Sequence, residues 1–276
     1  MEKRDNNGLT EKEFLEAYKP GNYERPSVTV DIAVYRLKED LSGLQLLLIR
    51  RGNHPYIGCW ALPGGFIDMK ESAYEAACRE LKEETNLSDI YLEQLYTMTQ
   101  PDRDPRMRVI DIVYTALLPY GNVQKEQAGD DAKDAAWFDV SLAEDRLVLT
   151  CQERNLIISY ALDKKVFHNG ILEIRSSVPR LDGNEALAFD HDQIVLESLE
   201  RMRNKLEYTD IAFNLVPEEF TLPDLQKVYE AIFEKKLEKK NFRRKIGPKV
   251  EAVEGRTQKP ITSVKPAMVY RYKRGD

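Results

Sequence analysis

Cysteine is scarce in this chain. Its 276 residues include only Cys59, Cys78 and Cys151, which neither cluster nor pair off. This excludes a CxxC zinc site and an even-numbered disulfide framework, and it fits reduced thiols in a cytoplasmic protein. No apolar run approaches the roughly 18 residues a membrane-spanning helix needs, so no membrane partner is expected. The opening segment MEKRDNNGLTEKEF lacks an apolar h-region and a small-residue cleavage site, so export is not expected either. There is no internal repeat. What is present is 42% hydrophobic and 32% charged. That apolar content can fill a core, and the length suits about two domains.

The formal net charge of -6 conceals an asymmetry. From Lys235 onward there are 14 Lys/Arg against 4 Asp/Glu, a net of +10; the preceding residues carry 27 against 43, a net of -16. A basic end on an acidic body suggests two functional parts. The basic part also contains Phe242, Ile246, Val250, Val253, Ile261, Val264, Met268, Val269, Tyr270 and Tyr272, enough apolar surface to fold.

Along the chain, residues 11–18 read as a short helix. Residues 28–37 and 44–51 read as β-branched or aliphatic strands joined as a hairpin. A loop rich in Gly, Pro and aromatics follows. Residues 72–85 read as a helix, with Ser72 and Glu75 as a capping box and Ala73, Ala77 and Leu81 as the buried stripe. Strands are expected at 91–99, 108–118 and 134–138, and a helix at 194–206. Residues 147–175 fit either strands or a helix. The fold class is α+β.

The densest chemistry lies in GFIDMKESAYEAACRELKEETNL, residues 65–87. Glu80, Glu83 and Glu84 stand at i, i+3 and i+4 on one helix face, a like-charge arrangement that destabilises an isolated helix. Oxygen ligands of this kind suit Mg²⁺ or Mn²⁺, with substrate phosphates completing the shell; an exposed acidic face is the plainer alternative. The segment resembles the Nudix box, G-x5-E-x7-R-E-U-x-E-E-x-G-U, with U a bulky aliphatic. Gly65, Glu71, Arg79, Glu80, Leu81, Glu83, Glu84 and Leu87 match. Asn86 replaces the second Gly, and Asn is the next best residue for a left-handed cap.

The resemblance implies a Nudix mixed sheet sandwiched by helices, with Gly65, Glu80, Glu83 and Glu84 as metal ligands. Arg79 would join the glutamates in the catalytic set, and Glu71 would pair with Arg79. The stretch around HPYIGCWALPGG and the loop TMTQPDRDPRMRV are similar to ADP-ribose pyrophosphatase-like members. That likeness offers Tyr56 and Trp60 as stacking partners for a base and Arg103 and Arg106 as phosphate contacts. It also offers Glu126 as an additional ligand or base, with Asp130 and Asp131 behind it.

Further on, Thr221 with Asp224 starts a helix whose stripe is Leu225, Val228, Tyr229 and Ile232. A basic helix at 239–246 and two strands, 250–253 and 268–272, complete the order of a winged helix-turn-helix. FTLPDLQKVYEAIFEKKLEKKNFRRKI also resembles the C-terminal domain of Nudix-related transcription regulators. Lys239, Lys240, Arg243, Arg244 and Lys245 are the candidate DNA contacts, with Phe242 and Ile246 turned to the core. The expected division is 1–24 extension, 25–185 Nudix domain and 186–276 winged-helix domain, in a homodimer. The first expectation for function is Mg²⁺-dependent hydrolysis of a nucleoside-diphosphate-linked compound, ADP-ribose foremost. The alternative is a regulator that binds double-stranded DNA and uses its Nudix domain as a sensor of an ADP-ribose- or sugar-type effector.

Overall fold

The computed structural model describes residues 3–19, 21, 24–121 and 132–274. Helix α1 (Glu11–Ala17) opens on a reciprocal capping box between Thr10 and Glu13. Then come β1 (Ser27–Leu37), β2 (Leu44–Arg51), β3 (Trp60–Ala61), β4 (Gly64–Phe66), α2 (Ala73–Thr85), β5 (Tyr91–Met98), β6 (Val109–Leu117), β7 (Ala132–Leu142), β8 (Arg146–Cys151), β9 (Leu156–Asn169), β10 (Leu172–Leu181) and α3 (His191–Tyr208). The strands form one sheet ordered β10-β9-β8-β7-β2-β1-β6-β5, with β3 on β2 and β4 on β1. Within it β1 and β6 run parallel, and the other named strand pairs run antiparallel. The stretch 147–175, open between strand and helix in the sequence, is sheet. In β8 burial alternates with a period of two, as a half-covered strand requires.

The near-continuous apolar run of β1 follows from its being covered on both faces. Val30, Ile32 and Val34 pack with Ala76, Ala77 and Leu81 of α2. Ala33, Tyr35 and Leu37 share the opposite cluster with Ile194, Val195, Leu199 and Met202 of α3. The stripe of α2 is thus Ala76, Ala77 and Leu81, with Ala73 only partly covered. The expected division at 185/186 falls just before α3, which packs on the sheet and completes the sandwich. At mid-helix the Tyr35 and Ser198 hydroxyls are hydrogen-bonded at 2.5 Å.

The same core continues into β11 (Glu219–Thr221), α4 (Leu222–Phe233), α5 (Lys239–Ile246), β12 (Val250–Gln258) and β13 (Ala267–Tyr272). Their three strands pair in the order β11-β13-β12, and the two helices and the strand pair give the winged-helix arrangement. Leu225, Val228, Tyr229 and Ile232 are buried as the periodicity predicts. Phe242 meets Tyr229 edge-on, with ring centroids 5.4 Å apart, and anchors α5 to α4. Strand β12 extends beyond the expected residue 253 to Gln258. The loop after it is tied back to α4, where the buried Asp224 carboxylate accepts from the Ile261 N–H at 3.0 Å.

Asn86 caps α2 at φ 59°, and its N–H donates to the Lys82 carbonyl. A side chain with a Cβ and no local hydrogen bond pays about 1–2 kcal/mol in this left-handed region. Asn86→Ala is therefore expected to lower stability by about that amount and Asn86→Gly to leave it nearly unchanged. Denaturant titrations of both variants check this, and equal losses would refute it.

Candidate ligand cleft and nucleic-acid interface

Three of the box residues, Gly65, Glu80 and Glu84, line a cleft of about 320 Å³, together with Asp31, Arg51, His54, Gly64, Arg103, Asp104, Arg106, Phe189 and His191. Two glycines allow the backbone to enter it. A Cβ on Gly65 would lie 2.1 Å from Glu80 Oε1, and one on Gly64 would lie 2.2 Å from the Val30 carbonyl oxygen and 2.4 Å from Asp31 Oδ1. At Gly64 a side chain would collide with backbone, and at Gly65 it would push the Glu80 carboxylate out of place.

Arg79 organises the carboxylates. Its guanidinium donates to Glu71 at 2.6 and 3.1 Å, to Glu80 at 2.7 Å, to Glu83 at 3.1 Å and to the Phe66 carbonyl at 3.1 Å. The expected pair with Glu71 is present, a second pair joins Arg79 to Glu83 one turn on, and the two relieve the like-charge strain of the triplet. The three glutamates are not equivalent. Glu80 and Glu84 are buried toward the cleft, whereas the Glu83 side chain is 60% exposed. Glu84 accepts from the Gly64 N–H at 2.7 Å. Burial pushes the Glu80 carboxyl above its ordinary value, against the pull of Arg79.

Among the described residues, no three His, Cys, Asp or Glu side chains form a ready metal cage. The donor chemistry nevertheless fits a hard divalent ion: two buried carboxylates four residues apart, beside a glycine whose Cβ would displace one of them. Glu126, Asp130 and Asp131 lie outside the described residues.

Deeper in the cleft is an ionic cluster that sequence reasoning missed. Arg103 donates to both oxygens of Asp190, at 2.7 and 3.0 Å, and to Asp111 at 3.3 Å; Asp31 lies 3.6 Å away. His191 Nδ1 accepts from the Leu62 N–H at 2.9 Å, which leaves Nε2 to carry the proton toward Asp31 at 3.3 Å. Asp111, fully buried, accepts from the Thr29 hydroxyl at 3.1 Å. Burial and the adjacent Asp31 push the Asp111 carboxyl well up, while His191 and Arg103 keep Asp31 low. One cue was visible in the sequence: a lone acid inside each of two apolar strands, V-D-I and I-D-I.

The expected ligand contacts divide. Arg103 is buried and committed to three aspartates, so its role is to hold the cluster. Trp60 is not a stacking platform. It is 4% exposed and packs edge-on against Phe138 in the core, because β3 pairs with β2 and turns the indole inward. Tyr56 is exposed, with its ring 4.7 Å from that of Phe189, which lines the cleft. Arg106 lines the cleft, pairs with Asp104 at 2.7 Å and lies over the Phe66 ring. Arg51, unforeseen, lines it too, with its guanidinium over the Phe189 ring. Burial and the neighbouring Arg106 lower its pKa, against the pull of Asp31, Glu84 and Asp104.

At the other end, Lys239, Lys240, Arg243 and Arg244 are exposed on α5 while Phe242 and Ile246 are buried. Lys245 is exposed but leans back, its Nζ donating to the Leu206 carbonyl at 3.4 Å.

Known proteins match both parts. Residues 25–156 match the NUDIX domain model and residues 212–272 the NrtR DNA-binding winged helix domain model. An ADPR responsive transcriptional repressor, NtrR, from Acinetobacter baylyi is 32% identical over 96% of this chain and 90% of its own length. An ADP-ribose pyrophosphatase from Methanocaldococcus jannaschii is 40% identical over 50% of this chain and 76% of its own. Among solved structures, Shewanella oneidensis NrtR complexed with a 27mer DNA is 28% identical, with a TM-score of 0.63 over 89% of this chain and 93% of that one. A MutT/nudix family protein from Enterococcus faecalis is 27% identical, with a TM-score of 0.77 over 96% and 94%. The chain belongs to the Nudix family, in the NrtR-type branch that joins a NUDIX domain to a DNA-binding winged helix.

The buried Asp111 gives a pH signature. Its folded-state pKa is raised, so the folded protein keeps a proton that the unfolded chain releases near pH 4. Stability therefore falls as pH rises from there through the raised value. Asp111→Asn is neutral throughout and escapes that loss. Its Tm relative to wild type is expected to be more favourable at pH 7.5 than at pH 5, and a pH-independent offset in thermal unfolding would refute the assignment.

Proposed function

We propose that the protein is a transcription regulator that binds double-stranded DNA through its winged helix and senses an ADP-ribose-type, nucleoside-diphosphate-linked effector in its Nudix cleft. The sequence alone places hydrolysis first. The likeness to a repressor across both domains reverses that order. The observation that carries the reading is α5, a folded and anchored helix whose outward face is a row of Lys and Arg. Such a face suits the major groove or a run of phosphates. In the cleft, Arg51 and Arg106 are assigned to the diphosphate and Tyr56 with Phe189 to a flat ring. A homodimer would set two basic helices on one duplex.

Hydrolysis remains the second reading, favoured by the complete set Glu71, Arg79, Glu80, Glu83 and Glu84. Glu80 and Glu84, with Gly65, would hold Mg²⁺ or Mn²⁺, and Glu83 would join them on leaving Arg79. The ion would supply charge neutralisation on the diphosphate and a more acidic water. Arg79 keeps the glutamates in place meanwhile. Glu83→Gln is expected to abolish whatever ADP-ribose turnover the wild type shows with Mg²⁺, measured as release of AMP and ribose 5-phosphate. Activity within a few-fold of wild type would remove Glu83 from the site.

DNA binding is tested by anisotropy on a duplex enriched from a random library by the protein itself. Affinity is expected to fall steeply with salt as counterions are released. Arg243→Ala with Arg244→Ala is expected to weaken binding strongly and flatten the salt slope, leaving ADP-ribose binding untouched. No enrichment at low salt, or a double variant that binds like wild type, would overturn the regulator reading.

A further inference from the structure

Helix α3 touches both ends of the molecule's business. Its first residue, His191, and the preceding Phe189 line the cleft, and Asp190 between them is held by Arg103. Phe189 sits at φ 54°, a backbone region costly for a bulky side chain, with its ring contacted by Tyr56, His191 and the Arg51 guanidinium. Strain of this kind persists only where surrounding contacts over-determine it. About 27 Å further along its 18 residues, the same helix is attached to the winged domain in three places. Arg203 Nε donates to the Ile232 carbonyl of α4 at 2.9 Å. The Leu206 carbonyl accepts from Lys245 of the basic helix α5. Just past its C-terminus, Asp210 pairs with Lys249 at 2.5 Å and accepts from the Tyr272 hydroxyl of β13 at 2.8 Å.

We propose that α3 is the rod that couples the two sites: a ligand engaging Arg51 and the Phe189–His191 corner shifts α3, and Arg203 and Asp210 pass the shift to the helix and strand that position the basic face. This rests on the reading of the protein as an ADP-ribose-responsive DNA binder and names the element that carries the response. A helix shift of about 1–2 Å is the usual size of such a displacement. The core around α3 is close-packed, so the shift moves the neighbouring elements with it. Arg203 and Asp210 are positioning residues here, since neither lies in the cleft and Asp210 acts through Lys249 and Tyr272.

The quantity to measure is the coupling factor, the ratio of duplex affinities with and without saturating ADP-ribose. Thermodynamic reciprocity requires the duplex to change ADP-ribose affinity by the same factor. Full-length wild type, Asp210→Asn, and Arg203→Gln with Asp210→Asn are each titrated with the self-selected duplex and with ADP-ribose, alone and together. The expected result is ADP-ribose affinity within about twofold of wild type in both variants. The coupling factor should fall at least fivefold in the double variant and in the same direction, by less, in the single one. A change in global stability alone would not separate coupling from ADP-ribose affinity in this way. If either folded variant keeps the wild-type coupling factor, α3 does not carry the response and the proposal fails, while the regulator reading stands. If wild type binds the duplex and ADP-ribose with no coupling at all, the regulator reading itself fails, and this proposal with it. Should the double variant not fold, Asp210→Asn, which keeps the side-chain volume, decides the question alone.

Discussion

One buried guanidinium holds the working end of the Nudix sheet together. Arg103 comes from the loop before β6 and faces Asp31 of β1, Asp111 of β6 and Asp190 at the start of α3. A charge this deep is tolerable only because it is paired and hydrogen-bonded on several sides. Its desolvation is more than offset by the aspartates around it, Asp190 foremost, so it stays charged. Three aspartates and one arginine drawn from separate parts of the chain thereby fix where a loop, the parallel strand pair and a helix meet. The cleft is the space that their meeting leaves.

The second charged hub, Arg79, works locally. A helix carrying Glu80, Glu83 and Glu84 on adjacent turns is poor on its own, and the sequence carries the remedy within the same segment. Arg79 and Glu71 are eight residues apart, close enough that helical spacing and the capping turn bring them together. The division of labour among the glutamates is less local. Glu80 and Glu84 turn inward because β4 lies against α2, whereas Glu83 faces solvent beside Arg79.

That contrast explains what could be read in advance. The box, the caps of α2 and α4, the stripe of α4 and the basic face of α5 are set by residues within one or two turns of each other, so spacing reveals them. The Asp31–Asp111–Arg103–His191 cluster joins residues up to 160 positions apart, and nothing periodic announces it beyond an acid in each apolar strand. Trp60 misled because aromatic residues beside a glycine-rich loop look alike whether they face a ligand or a core; strand pairing decides, and β3 turns this one inward. The stretch 147–175 resisted assignment because its β9–β10 hairpin runs beyond the packed sheet, where exposed Val166, Phe167 and Ile171 blur the alternation.

The placement of α3 also sets an order of assembly during synthesis. Strand β1 is among the first elements to leave the ribosome, yet one of its faces waits for residues 191–208 before it is covered. At about 5–20 residues per second, that wait lasts on the order of ten seconds or more. The winged domain follows immediately and packs against the helix that has just closed the sheet. Vectorial synthesis therefore finishes the ligand-facing half first, and the nucleic-acid-facing half matures on a template that is already closed.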